Sequence, residues 1–86
     1  MLIHEYLNQQ IDYEEKYGKN TLVLMQVGSF FEFYGVNNNQ EKIGSPEEVA
    51  ELLNIQLTRR NKAIIENSRN NCLMAGFPCH ALKRFI

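Results

Sequence analysis

A glutamate lies inside the densest aromatic stretch of the chain, QVGSFFEFYGV (residues 26–36). The stretch is predicted to form a strand, in which alternate side chains share a face. An unpaired carboxylate is costly to bury, so the face that carries Glu32 is predicted to be solvated. Phe30 then lies on that face as a large exposed ring beside an acid, whereas Phe31 and Phe33 belong to the core.

The same alternation places Tyr34 on the solvated face with Glu32. An exposed phenylalanine is more often ordinary packing than a functional group. However, a ring beside a hydrogen-bonding acid has one well-understood use, because minor-groove proteins insert an apolar wedge between base steps and kink the duplex. Unstacking costs a few kcal/mol per step, and less where a mispair has already weakened the stack. Phe30 and Glu32 are therefore candidates for contact with deformable DNA.

The cysteines and histidines form no recognisable metal or catalytic pattern. Six residues separate Cys72 from Cys79, unlike the CxxC of zinc and redox sites, and His80 follows Cys79 directly. Two reduced structural thiols are expected. No nucleophile–base pair or carboxylate dyad is visible. The sequence therefore predicts no enzyme, no metal site and no cofactor in this piece.

Charge is unevenly divided along the chain. Residues 1–55 hold three lysines against nine acidic residues, which gives −6, and residues 56–86 hold six basic residues against Glu66, which gives +5. Such a split suggests a polyanionic partner for the second part. Alternatively, these bases simply solvate a loop and a helix. With a net charge of −1, the whole chain is not basic enough to hold DNA by charge alone.

Three helices are predicted around these residues. An apolar stripe predicts the first over residues 2–17, ended by Gly18 as a left-handed cap. A capping box over Ser45–Glu48, with proline at the first helical position, predicts a short second helix that ends near Asn54. The last residues, CHALKRFI (79–86), begin a third helix whose apolar side chains, Ile86 included, pack inward.

Short apolar or alternating runs predict the strands between these helices. They are TLVLMQV (21–27), FFEFYGV (30–36), IQLTRR (55–60) and CLMAGFP (72–78). Gly28 and Ser29 predict a tight turn or bulge. The polar segment 37–44 predicts a loop or a frayed strand end, and the segment 61–71 predicts a hairpin tip or an inserted loop. The expected fold class is α+β, with a small mixed β-sheet flanked by helices.

Length and composition are those of one folded domain or part of one. The chain has 86 residues and holds no apolar run near the roughly 18 residues of a membrane span. Its acidic, amphipathic start is unlike a signal or transit peptide. An intracellular setting (cytoplasm, nucleus or organelle interior) is expected, with no secretion and no membrane partner. The chain stops within a helical pattern, so we expect a piece of a longer protein.

Three blocks resemble, in order, the N-terminal mismatch-recognition domain of the MutS family of DNA mismatch-repair proteins. LVLMQVGSFFEFY carries the family's hydrophobic strand, glycine and Phe-x-Glu. AELLNIQLTRR resembles its helix and Leu-Thr-basic strand, and CLMAGFPCHALKRFI resembles its Met-Ala-Gly-x-Pro-x-His-Ala segment. The resemblance implies a MutS domain I-like fold over residues 1–86, truncated at its C-terminal end and belonging to a larger multidomain protein.

By this resemblance, Phe30 stacks on a mispaired or unpaired base from the minor-groove side and Glu32 hydrogen-bonds that base. Arg59, Arg60 and Lys62 are implied as contacts to the DNA backbone, which position a protein without reading sequence. The implied partners are double-stranded DNA with mismatches or small loops and the remaining domains of a dimeric MutS-type parent. The chain has no GxxxxGK[ST] motif, so the family's ATPase, with ATP and Mg, is expected elsewhere in that parent.

Two positions depart from the family pattern. Phe31 stands where the family often has tyrosine, and Gln26 stands where a basic residue is common. The overall acidity and Gln26 leave a second hypothesis open: a protein-interaction or scaffold domain that keeps the fold without recognising lesions. In that case Phe30 is a hot spot for a protein partner.

Overall fold

A computed structural model describes residues 3–85 as a layered α+β domain. Its elements are α1 (Ile3–Tyr17), β1 (Met25–Val27), β2 (Phe30–Asn37), β3 (Lys42–Ile43), α2 (Pro46–Leu53), β4 (Thr58–Arg59), β5 (Leu73–Pro78) and a closing 3₁₀-helix (Cys79–Arg84). The predicted α+β class is confirmed. Leu2 and Ile86, which the sequence included in helices, lie outside the described residues. No helix within residues 3–85 is long and apolar enough to span a bilayer.

The sheet has the strand order β1-β2-β5-β4, and β3 pairs with the far end of β2. All strand pairings within the described residues are antiparallel, so the sheet is antiparallel rather than mixed. The two longest strands, β2 and β5, form its centre, with pairs running from Phe30–Pro78 to Gly35–Leu73. Residues that pair across an antiparallel ladder share a face, so this register determines which side chains meet.

The two α-helices cover opposite faces of the sheet. Helix α1 packs on the face that carries Tyr34, where the rings of Tyr6 and Tyr34 meet edge-on at 5.1 Å. Helix α2 packs on the other face, where Gly35 lies so close to Pro46 that a Cβ added to the glycine would fall 2.5 Å from the proline Cδ. The prediction that Tyr34 is solvated is therefore wrong. It is 5% exposed because α1 covers that part of the face.

Helix α1 also explains why the first strand is shorter than predicted. Gln10 donates from Nε2 to the carbonyl of Thr21 (2.7 Å) and accepts from the amide of Val23 (2.9 Å), while the Tyr6 hydroxyl donates to the Val23 carbonyl (2.5 Å). The backbone of this segment bonds to a helix instead of a strand, so β1 begins only at Met25. Gly18 ends α1 with φ +101°, as predicted.

Helix α2 begins where predicted but without the predicted capping box. The Ser45 side chain makes no cap hydrogen bond, and Glu48 lies 3.7 Å from the ammonium group of Lys42 in β3. The first helical bond runs from the Val49 amide to the Ser45 carbonyl (3.0 Å). Asn54 ends the helix with φ +58°, a left-handed conformation that asparagine tolerates well.

The long loop between β4 and β5 is organised by one buried amide. Asn71 is 3% exposed and donates to the carbonyls of Asn61, Ile64 and Glu66, while its own side-chain oxygen accepts from the Asn61 amide. These bonds fold the loop back on itself. The tip at Ile65 is left 88% exposed.

Candidate nucleic-acid interface

The tip of the β1–β2 hairpin carries the predicted aromatic residue. Val27 pairs with Phe30 across a two-residue turn, Gly28-Ser29. Gly28 adopts φ +59°, and a Cβ there would meet nothing within 4 Å, so the position favours glycine for its backbone conformation rather than for space. The amide of Cys79 donates to the Ser29 carbonyl at 2.7 Å, which ties the turn to the end of β5.

Phe30 is exposed on this tip, as predicted. Its relative exposure is 44%, and its ladder partner Val27, on the same face, is 46% exposed. Pro78 pairs with Phe30 from the other side. The tip therefore presents an apolar surface of Val27 and Phe30 to solvent. Val27 was missed in the sequence, although the register of a two-residue turn places it opposite Phe30.

Phe31 and Phe33 point to the opposite face and anchor the strand there. Phe33 is fully buried. The half-buried ring of Phe31 lies 5.9 Å from Phe77, whose ring meets Phe85 of the C-terminal segment edge-on at 4.8 Å. This confirms the predicted division of the aromatic run between two faces. These packed rings support the strand on the face opposite Phe30 and Glu32.

Glu32 is half-buried on the Phe30 face, and two neighbours determine its position. The Tyr34 hydroxyl donates a hydrogen bond to Glu32 Oε1. Across the ladder, Glu32 pairs with Gly76, where an added Cβ would lie 2.8 Å from the Phe31 carbonyl oxygen and 3.2 Å from Glu32 Cγ. Glycine at position 76 therefore leaves the space in which the glutamate side chain lies. Neither Tyr34 nor Gly76 was predicted from the sequence to belong to the site.

Burial raises the pKa of the Tyr34 phenol well above its ordinary value, and the hydrogen bond to the Glu32 carboxylate raises it further. The Arg60 guanidinium opposes this rise through its positive charge. Tyr34 thus keeps its proton at neutral pH and acts as a donor to the carboxylate.

The three basic residues predicted to contact DNA lie in different settings. Strand β4 pairs Thr58 with Met74, and the Arg60 amide donates to the Cys72 carbonyl at 2.9 Å. Alternation along β5 therefore places Arg60 on the face of Glu32. The two residues lie on opposite sides of β5 and are offset by four residues, or about 13 Å, along its direction. Its side chain is exposed.

Arg59 belongs to the other face, because it pairs with Leu73. Its guanidinium donates to the carbonyls of Ile64 (2.8 Å) and Lys62 (3.2 Å), which ties it to the β4–β5 loop. The Lys62 side chain is exposed in that loop. The structure thus brings Phe30, Glu32 and Arg60 onto one face and separates Arg59 from them.

These features define a class of protein: a small α+β binding module with an apolar hairpin tip, an adjacent oriented carboxylate and an arginine farther along the same face. The family model for MutS domain I matches residues 6–86. The chain therefore belongs to the MutS family, as its domain I, the mismatch-recognition domain of these repair proteins. No curated protein matches the chain.

Proposed function

We propose that this domain recognises mispaired or unpaired bases by inserting Phe30 from the minor groove, while Glu32 hydrogen-bonds the base that is displaced. The observation that carries the proposal is the 44% exposure of Phe30 at the tip of a hairpin, on the same face as Glu32, in a chain of this family. Its ladder neighbour Val27 extends the apolar surface that would enter the groove.

Selectivity follows from the cost of the insertion. A wedge separates two stacked base steps at a cost of a few kcal/mol and bends the duplex at a further cost of about 1–6 kcal/mol. A mispair or an unpaired base has already lost part of its stacking and pairing energy, so the same insertion costs less there. The ring therefore discriminates through DNA deformability, and a hydrogen bond between Glu32 and the base adds to the stability of the inserted state.

The rigidity of the tip favours this mechanism. Gly28 forms the turn, the Ser29 carbonyl is bonded to Cys79, and the Phe31 ring is packed on Phe77 behind the strand. A wedge that is already ordered loses little conformational entropy on insertion. More of the contact energy is then available to separate the bases.

Phosphate contacts by Arg60, Lys62 and Arg59 complete the proposal. Arg60 shares the Glu32 face and carries an exposed guanidinium, so it is expected to contribute most. Arg59 already donates to two backbone carbonyls and is expected to contribute less. The remaining domains of a dimeric parent, among them an ATPase that uses ATP and Mg, would supply the rest of the DNA clamp.

The test uses the full-length protein that carries this domain, titrated with labelled duplexes that are matched, mispaired or looped by one base. Phe30→Ala is expected to remove the preference for the mispaired duplex. The matched control is Ile65→Ala, which also removes exposed apolar surface but at the loop tip between β4 and β5. Retention of the full mispair preference in Phe30→Ala would show that the wedge assignment is wrong.

A second variant, Arg60→Ala, tests the phosphate contact. It is expected to weaken binding to matched and mispaired duplexes by the same factor. It should also reduce the slope of the logarithm of the binding constant against the logarithm of the salt concentration by about one, the effect of one lost phosphate contact. An effect confined to the mispaired duplex would instead assign Arg60 to base recognition.

A further inference from the structure

Tyr34 is a buried side chain at the contact between α1 and β2. It is 5% exposed, and its ring packs edge-on against the ring of Tyr6 at 5.1 Å. Tyr6 is itself fully buried, and its hydroxyl donates to the Val23 carbonyl at 2.5 Å. The hydroxyl of Tyr34 is therefore fixed by a core contact between α1 and β2.

That fixed hydroxyl donates to Oε1 of Glu32, two residues earlier on the same face. Within residues 3–85, Tyr34 is the only residue whose side chain makes a hydrogen bond to Glu32. On the other side, Gly76 leaves room for the glutamate Cγ. A long, flexible side chain is thus restrained at its far end by one hydrogen bond, and its second oxygen, Oε2, remains available.

We propose that Tyr34 is a positioning residue for base recognition: it orients the Glu32 carboxylate so that Oε2 is presented to a displaced base beside Phe30. This rests on the proposed function of Phe30 and Glu32. A glutamate without this bond would distribute over several rotamers and would lose that freedom on binding DNA.

The test is a double-mutant cycle in the full-length protein. The measured quantity is the ratio of Kd values for matched and mispaired duplexes in four proteins: unsubstituted, Tyr34→Phe, Glu32→Ala and the double variant. Tyr34→Phe removes the hydroxyl but keeps the ring against Tyr6. It is expected to reduce the ratio roughly 2- to 10-fold, the range for loss of one hydrogen bond. In the Glu32→Ala background it should have no further effect.

Tyr6→Phe is the matched control, because it removes the other buried phenol hydroxyl of the same ring pair without touching Glu32. It is expected to leave the ratio unchanged. As a second measurement, the NMR resonance of the Glu32 side-chain carboxyl carbon should shift in Tyr34→Phe and not in Tyr6→Phe. This measurement reports the hydrogen bond without DNA.

Two results would overturn the positioning role: an unchanged ratio in Tyr34→Phe, or the same reduction with and without Glu32. Phe30→Ala separates this from the broader proposal. If Phe30→Ala removes the mispair preference and Tyr34→Phe does not alter it, the wedge stands and the positioning role is refuted. If Phe30→Ala also leaves the preference intact, both are refuted.

Discussion

Phe30 and Phe33 are two rings of one strand that should differ sharply in their contribution to stability. Phe33 is 0% exposed, so Phe33→Ala removes its buried surface and leaves a cavity, at an expected cost of about 3–5 kcal/mol. Phe30 is 44% exposed. Full burial of such a side chain contributes about 1.5–3 kcal/mol, so Phe30→Ala should cost roughly half of that, with no enclosed cavity.

The expected difference of about 1.5 kcal/mol or more is large for a domain of this size. A stability of about 0.05–0.15 kcal/mol per residue gives on the order of 4–13 kcal/mol for the chain. Phe33→Ala is therefore expected to remove much of the stability and Phe30→Ala little of it. Since 1 kcal/mol shifts the Tm of a small domain by about 4–8 °C, the two variants should melt at least about 6 °C apart.

The assay is thermal and urea unfolding of the chain, followed by circular dichroism, for both variants and the unsubstituted protein. Equal destabilisation by the two substitutions would refute the reasoning. It would mean that Phe30 is a core residue and that the strand does not divide its rings between a buried and a solvated side.

Two further predictions concern packing and pH. Gly35→Ala is expected to lower the free energy of unfolding by about 1–3 kcal/mol, and with it the urea midpoint, because its Cβ would lie 2.5 Å from Pro46 Cδ and 2.6 Å from the Ile43 carbonyl oxygen; an unchanged midpoint would contradict this close approach. Burial raises the pKa of Tyr6 and Tyr34 above the ordinary 10.0, so the unfolded chain loses these protons first and stability should fall as pH rises above 10. Tyr34→Phe should show a shallower fall in urea midpoints measured on either side of pH 10, and an identical slope would show that Tyr34 does not contribute.

Local rules were sufficient for the hairpin and the positions of its rings. Strand alternation placed Phe30 and Phe33 on opposite faces. Because an unpaired charge is costly to bury, Glu32 identified the face of Phe30 as the solvated one. Gly28 and Ser29 predicted the turn that brings Phe30 to the tip. These features depend on residues within a few positions of one another, so periodicity and turn chemistry determine them.

What the sequence could not provide depends on contacts between distant segments. Tyr34 is buried because α1 lies over it, and alternation alone cannot tell where a helix covers a face. The segment before β1 was predicted as strand from its apolar residues, but Gln10 bonds its backbone from the helix. Likewise, the family resemblance implied Arg59 as a contact to the DNA backbone, but it could not show that Arg59 donates to the carbonyls of Ile64 and Lys62, because those bonds depend on how the following loop folds.

The bonds from α1 to residues 21–23 have a consequence for self-association. Strand β1 is an edge of the sheet, and an open edge offers backbone groups on which another chain can add a strand. Gln10 and Tyr6 occupy the Thr21 carbonyl and both backbone groups of Val23, immediately before that edge. The helix thus withholds these groups, which lie next to an open edge, from pairing with a strand of another chain.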